Sequence, residues 1–378
     1  MRRYIFNFAM MACIVGTMTL SSPITAMAAK SSRNSGPGAT QFVSPTGEAA
    51  ETQPASTAET SQAETAAVTQ NQTAAQQDTS VQTAGSVIDI SVKGLEGLEE
   101  VNASSPILGG AVLYMLPSAN QEDQILSCII KGTDGTVIVV DGGLGADKDR
   151  LKAAIRELGG TVSAWLVTHP HGDHAGALYK LLEEEIADKA AGITPDINIQ
   201  NIYYNMASRE WYQANDPSDG AFSIELLNKL EQIDESRRHY VSRGTTIMAG
   251  STKIEVVNDR YETDWNKGNN ASICYKVWVN GKSILFLGDM SSEGGKRLMQ
   301  YEKDNLKADI VQMAHHGQAG VEEDVYQAIA PSIALWPTPK WLYNQKDDSS
   351  YRINETKAWM KKLRTRNYVV LSNGFVLR

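Results

Sequence analysis

Cysteine is scarce in this chain of 378 residues, with only Cys13, Cys128 and Cys274 present. None of their spacings suits a thiolate metal site, and three cysteines cannot staple a disulfide-rich fold. Positive charge is short as well: 35 Lys and Arg face 44 Asp and Glu, for a formal charge of -9. A chain without surplus cations has no field for capturing long polyanions, which weighs against a nucleic-acid binder working through a basic surface. The apolar run that opens the chain, from about Phe8 to Leu20, is broken by Thr17 and Thr19 and is short for a membrane span. Histidine is rare too, with six in all, and three of them fall between positions 169 and 174.

Residues 1–28 read as a secretory signal, with Arg2 and Arg3 before the apolar run and Ala26-Met27-Ala28 as a small-x-small cleavage site. Retention as an uncleaved anchor is the alternative. Removal takes away two positive and no negative charges, moving the formal charge from -9 to -11. An exported chain permits a disulfide between Cys128 and Cys274, although both lie in apolar strand-like runs that suit two buried free thiols equally. Residues 29–85 read as a disordered linker. From Ala29 to about Gln82 the composition is Ala, Thr, Gln, Ser, Glu and Pro, with too little apolar surface to offset the entropy of ordering. Residues 86–378 form the ordered domain.

That domain is organised around Thr168-His169-Pro170-His171-Gly172-Asp173-His174. An apolar strand-like run, Val162 to Val167, precedes it and a helix-like run follows, so the cluster sits on a strand-to-helix turn. Imidazole and carboxylate are the preferred ligands of zinc and similar divalent metals. His169 and His171 are two apart and share one side of an extended segment. Asp173 and His174 come from the next turn and face a second point. The spacing favours two adjacent ions over one.

Around this turn the chain alternates hairpins and helices in two similar halves. Strands are expected over Val87 to Val92, Ala111 to Leu116, Gln124 to Lys131 and Thr136 to Val140. A helix from Asp147 to Leu158 places Leu151, Ala154, Ile155 and Leu158 at helical spacing. After the histidine turn come a strand from Ile197 to Tyr204 and a helix from Ser218 or Asp219 to about Arg238. Lys253 to Val257 and a hairpin about Asn280-Gly281 follow. Then come a helix from Glu293 to Glu302, a strand from Asp309 to Met313, a helix from Glu322 to Ile329 and a strand from Ser332 to Leu335. A helix from Asn354 to Arg364 and a hairpin about Asn373-Gly374 close the chain. Two mixed sheets packed face to face with helices outside account for this order. Asp141, the 169–174 turn, Asp289 and His315-His316 all end strands along one edge, where open α/β sheets place ligands.

His-x-His-x-Asp-His after a strand, with Gly288-Asp289 and His315-His316-Gly317 further on, resembles the metallo-β-lactamase fold. The resemblance implies a four-layer αββα sandwich of that type. Gly268-Asn269-Asn270-Ala271-Ser272, Ser283 to Asp289, Ala308 to Gly317 and the closing Val370 to Val376 are similar to the hydrolase domain of the competence protein ComEC, whose secreted relatives include phosphorylcholine esterases. The chain departs from the broad fold in having only His239 between the first cluster and Asp289.

The resemblance implies two divalent metal ions, zinc first and manganese as the alternative. His169 and His171 hold one, Asp173 and His174 the other, and Asp289 bridges them. His315 completes the second site, with His316 as the alternative ligand and otherwise its support or a transition-state donor. Asp173 orients the nucleophile; Asn270, His316 or Tyr343 steadies the leaving oxygen. Asp141 braces the turn. The function implied is a secreted or cell-surface phosphodiesterase acting on a small-molecule or wall-polymer phosphodiester, or on short nucleic acid, with no obligate protein partner evident. A carboxylic ester, lactone or lactam hydrolase, or a non-catalytic metal-bound binding module, are the alternatives. Tyr203, Tyr204, Trp211, Trp265, Trp336, Trp341 and Tyr343 fall near the strand ends, either packing there or forming a stacking wall.

Overall fold

A computed structural model describes the backbone of strand 85–87 and residues 94–101, 106–346 and 350–378. The expected signal segment, the linker up to its last residue and most of the strand expected over 87–92 lie outside the described residues. Among those described, no helix is long and apolar enough to cross a membrane.

The first sheet has nine strands in the order Gly85–Val87, Glu99–Glu100, Phe375–Leu377, Val112–Met115, Ser127–Lys131, Val137–Asp141, Ala164–Leu166, Ile202–Tyr204 and Arg238–Tyr240. The second has seven: Thr246–Ala249, Thr252–Val256, Tyr275–Val279, Lys282–Phe286, Ile310–Gln312, Ile333–Pro339 and Arg366–Leu371. Each is antiparallel where tight turns join its strands and parallel where helices intervene. The turn Asn280-Gly281 has φ of 47° and 77°, the left-handed pair that a two-residue hairpin needs.

Alternation along the apolar strands sorts side chains between three cores. Ile138, Val140 and Leu166 of the first sheet meet Tyr275, Ile284, Phe286 and Leu335 of the second, forming the central layer. On the outer side of the first sheet, Val139 and Trp165 lie under Leu151, Ile155, Leu178 and Leu182, which come from helices Lys148–Glu157 and Gly172–Ala190. On the outer side of the second, Leu285, Val311 and Ala334 pack with Leu298, Val325 and Met360 from helices Ser292–Tyr301, Glu323–Ile329 and Ile353–Lys362. This is the αββα sandwich. Cys128 and Cys274 are both buried and free.

Four local expectations need correcting. The helix expected to reach Arg238 stops at Leu230, and Arg238–Tyr240 is an edge strand. The run 197–204 splits into Asn198–Ile199, in a separate two-stranded ribbon, and Ile202–Tyr204. Thr246–Ala249, not foreseen, pairs with Thr252–Val256. The closing hairpin is not a hairpin. Arg366–Leu371 ends the second sheet, while Phe375–Leu377 enters the first between Glu99–Glu100 and Val112–Met115.

Positive φ at Leu371 (50°) and Gly374 (70°) makes this crossing. A Cβ on Gly374 would stand 2.3 Å from the Met115 carbonyl oxygen. Gly374→Ala is expected to destabilise the domain by on the order of 1–3 kcal/mol from the left-handed conformation alone. Urea denaturation reads this directly, and an unchanged midpoint would rule out the crossing.

Candidate metal centre

The 169–174 turn begins where strand Ala164–Leu166 runs out and ends as the first turn of helix Gly172–Ala190, with His171 at its N-cap in extended conformation. Pro170 disfavours helical conformation at His169, so the helix cannot start earlier. Asp173 in the first turn meets the positive end of the helix dipole. The turn is braced by buried Asp141, whose Oδ1 accepts from the Thr168 amide at 2.8 Å and whose Oδ2 accepts from the Thr168 hydroxyl at 2.7 Å. Asp141 thus supports the turn, in the role expected of it.

The second sheet supplies the rest. Asp289 follows strand Lys282–Phe286. Gln312 shapes that turn by accepting from the amides of Leu287 (2.8 Å) and Gly288 (2.9 Å) and donating to the Gly288 carbonyl (3.1 Å). After strand Ile310–Gln312 the chain turns through His315 (φ 51°), His316 (φ 55°) and Gly317 (φ 81°). Two successive non-glycine residues in the left-handed region are strained by about 1–2 kcal/mol each. Bonds from the His315 amide to Gly288 O (3.1 Å) and from Thr338 Oγ1 to His316 O (2.6 Å) hold them there.

Asp173, His174, Asp289 and His316 offer ligand atoms within 4.8 Å of one another. The two Asp289 oxygens each stand 3.1 Å from an imidazole Nε2, Oδ1 from His174 and Oδ2 from His316. Asp173 Oδ2 is 3.1 Å from His316 Nε2. His174 Nε2 and Asp289 Oδ1 are buried in mutual contact without hydrogen-bond alignment, as donors sharing a third atom would be.

Four imidazoles have one nitrogen held from behind. His174 Nδ1 contacts Asp141 Oδ2 at 2.7 Å, His169 Nδ1 contacts Thr168 Oγ1 at 3.1 Å, His316 Nδ1 contacts Pro337 O at 3.2 Å, and His171 Nε2 contacts Asp216 Oδ2 at 3.0 Å. Left for a ligand are Nε2 of His169, His174 and His316, and Nδ1 of His171. The His169 Nε2 is buried without any partner. Metal-binding histidines are held in this way, with the outer nitrogen fixing the tautomer of the inner one. The donor set therefore fits divalent cations.

Of the two candidates for this ligand, the structure brings in His316 rather than His315. His316 is buried in the four-residue group, whereas His315 stays on the rim, 3.9 Å from Asp289 and 3.3 Å from Asn269 Nδ2. The left-handed backbone swings the second imidazole inward. Asn270 is also corrected. Its Oδ1 accepts from the Ser291 and Gly294 amides and its Nδ2 donates to Trp265 O, so it is wholly committed to the start of the next helix. Asn269 faces the cavity instead. Sequence inspection also missed Asp216, since no local pattern connects it to His171.

The cavity above these residues measures about 400 Å³. Among the described residues its walls include Asp173, Asp219 and Asp289 but no Lys or Arg. None of the seven tryptophans and tyrosines of the expected stacking wall lines it. Trp336 and Tyr343 pack on each other, and Tyr203 stacks on His239. His239 is bonded to Asn201 at 2.8 Å and takes no part in the site.

Charge is balanced within the cluster. Burial lowers His169 well below the ordinary imidazole range, helped by His174 and His171. Burial also opposes charge on His174, but Asp289, Asp173 and Asp141 outweigh it and raise that imidazole well above its usual value. His316 is raised to about 9, with Asp289 and Asp173 overcoming its burial. Asp289 is pushed the other way: burial opposes its ionisation, yet His174 and His316 hold it well below the carboxylate range.

The Metallo-beta-lactamase superfamily description matches residues 121–246. ComE operon protein 3 of Bacillus subtilis (strain 168) is similar at 28% identity over 96 residues, a match spanning 25% of this chain and 12% of that protein. Among solved structures, the metallo-beta-lactamase fold protein YhfI from Bacillus subtilis is similar at 12% identity and a TM-score of 0.43, over 70% of this chain and 98% of its own. CmlA, a diiron beta-hydroxylase from Streptomyces venezuelae, is similar at 14% identity and a TM-score of 0.46, over 73% of this chain and 55% of its own. The chain is thus similar to the metallo-beta-lactamase superfamily over residues 121–246 and to ComE operon protein 3 over 96 residues.

Proposed function

We propose that this protein is a secreted hydrolase that uses two divalent cations to cleave phosphodiesters. The observation that carries the metal reading is the set of inward imidazole nitrogens, each held from behind, around a buried carboxylate that no lysine or arginine neutralises. Asp173, His174, Asp289 and His316 would hold one cation, and His169 with His171 the other. Mixed nitrogen and oxygen donors suit zinc, and manganese is the alternative. Bound cations of this kind lower the pKa of a water and offset charge developing on phosphoryl oxygens.

The chain's own residues set the rest. Asp173 is the one carboxylate of the group with an exposed face, its side chain being 30% accessible, and it orients the attacking water. Asn269 stands at the rim, where its Nδ2 is placed to donate to the leaving oxygen in the role expected of Asn270, His316 or Tyr343. The phosphodiester reading is supported by the resemblance of the 268–272, 283–289 and 308–317 motifs to the ComEC hydrolase domain. A small cavity without basic walls fits a single phosphodiester unit, of a small molecule, a wall polymer or the end of a short nucleic acid, better than a long polyanion. Secretion rests on the pattern of residues 1–28.

Hydrolysis of bis(p-nitrophenyl) phosphate by the zinc- or manganese-loaded protein tests this reading. Chelation is expected to abolish it, and His174→Ala or Asp289→Ala to lower kcat/KM by about 100-fold or more, as loss of several kcal/mol of charge stabilisation requires. Turnover confined to lactones or thioesters would sink the phosphodiester reading, and activity indifferent to chelation would sink the metal reading.

The raised His316 makes a second prediction. Its folded pKa of about 9 lies above the ordinary 6.5, so in chelated protein its stabilising charge is fully present below about pH 6.5 and is lost as pH rises through 9. A cation competes with that proton for Nε2. Thermal melts of chelated protein should fall across this window while those of zinc-loaded protein fall less. A flat profile for chelated protein would contradict the assignment.

A further inference from the structure

The two metal points are unequal. One has four side chains in ligand range; the other has two histidines, and among the described residues no second group of three or more potential ligands was found. His239, the one histidine between the first cluster and Asp289, is occupied with Asn201 and Tyr203.

What the two-histidine point has instead is a built support. Asp216 lies between helices Arg209–Asn215 and Gly220–Leu230. Its Oδ2 meets His171 Nε2 at 3.0 Å, with side-chain exposures of only 4% and 9% for the pair. Its other oxygen accepts from Ser218 Oγ at 3.1 Å and the Asp219 amide at 3.4 Å, which fixes the carboxylate plane. Ser223 donates to Pro170 O at 3.0 Å, tying the same segment to the histidine turn. Gly268 closes the third side. A Cβ there would stand 2.4 Å from His171 Nε2 and 2.7 Å from Asp216 Oδ2, so the backbone leaves just enough room for the pair.

We propose that Asp216 is the positioning residue of the two-histidine point, holding His171 by Nε2 so that Nδ1 is presented beside His169 Nε2. This rests on the two-cation reading above. An Nε2–H donated to Asp216 leaves the Nδ1 lone pair as the ligand, and the carboxylate raises its basicity. With only two imidazoles at this point, occupancy depends on their orientation more than it does where four side chains converge. Gly268 serves the same end by not pushing the pair apart.

The test is zinc or cobalt titration of the full chain, with bound equivalents counted by elemental analysis and cobalt spectra recorded. Wild type is expected to show two classes of site. Asp216→Ala should weaken the weaker class by about 10–100-fold, the usual effect of losing such a partner, and leave the tighter class unchanged. Asp216→Asn keeps an oxygen that accepts the same N–H and should recover part of the loss. Gly268→Ala, whose Cβ would crowd both His171 and Asp216, should weaken the same class while keeping the carboxylate's charge. Melts of the chelated variants identify any that fail to fold, and the remaining variants then decide. Equal weakening of both classes, no change in either, or a single class in wild type would overturn the proposal. Two intact classes without phosphodiester turnover would overturn the proposed function and leave Asp216 in its role.

Discussion

The centre depends on one buried carboxylate set between two imidazoles. Asp289 contacts His174 on one side and His316 on the other, each at 3.1 Å. His174 comes from the first half of the chain and His316 from the second. Their meeting requires the two sheets to close over a common core, and the edge is tied accordingly. The Ile273 amide donates to Thr168 O at 2.8 Å, and the Tyr275 hydroxyl donates to Val167 O at 3.1 Å. The hydrophobic core between the sheets thus sets the separation of the ligands. Ion pairing among the ligands does not set the fold.

Burying carboxylates and imidazoles together is costly unless charge is neutralised. With no lysine or arginine among the described residues of the cavity wall, protons or cations are left to do this. The raised His174 and His316 and the lowered Asp289 show protons in that role when cations are absent. The cost is accepted along with left-handed strain at His315 and His316, which the surrounding hydrogen bonds over-determine. Strain of this kind persists where it places a functional group. Here it aims the second imidazole inward and keeps the first on the rim.

Much of this was legible in the string of residues. Apolar runs such as Val137 to Val140 and Ile284 to Leu287 announce strands buried on both faces, and Asn280-Gly281 announces a tight hairpin. The strand-to-helix setting of His169 to His174 follows from local patterning and Pro170. Other features were not legible. Asn198–Ile199 and Ile202–Tyr204 look continuous because nothing local marks the change of sheet. Phe375–Leu377 reads as a hairpin partner because its turn is short. In Asn269-Asn270, consecutive positions on a helical turn face different ways, and the string does not say which faces the cavity.

By itself, then, the sequence determined the layers, the metal-binding chemistry and the turns from which the ligands project, since each follows from residue type and short-range period. Tertiary structure decided which of His315 and His316 enters, that Asn270 caps a helix while Asn269 lines the cavity, and that Asp216 stands behind His171. Those outcomes turn on left-handed backbone geometry and on contacts between residues such as 171 and 216, or 173 and 316, which become neighbours only when the two sheets close.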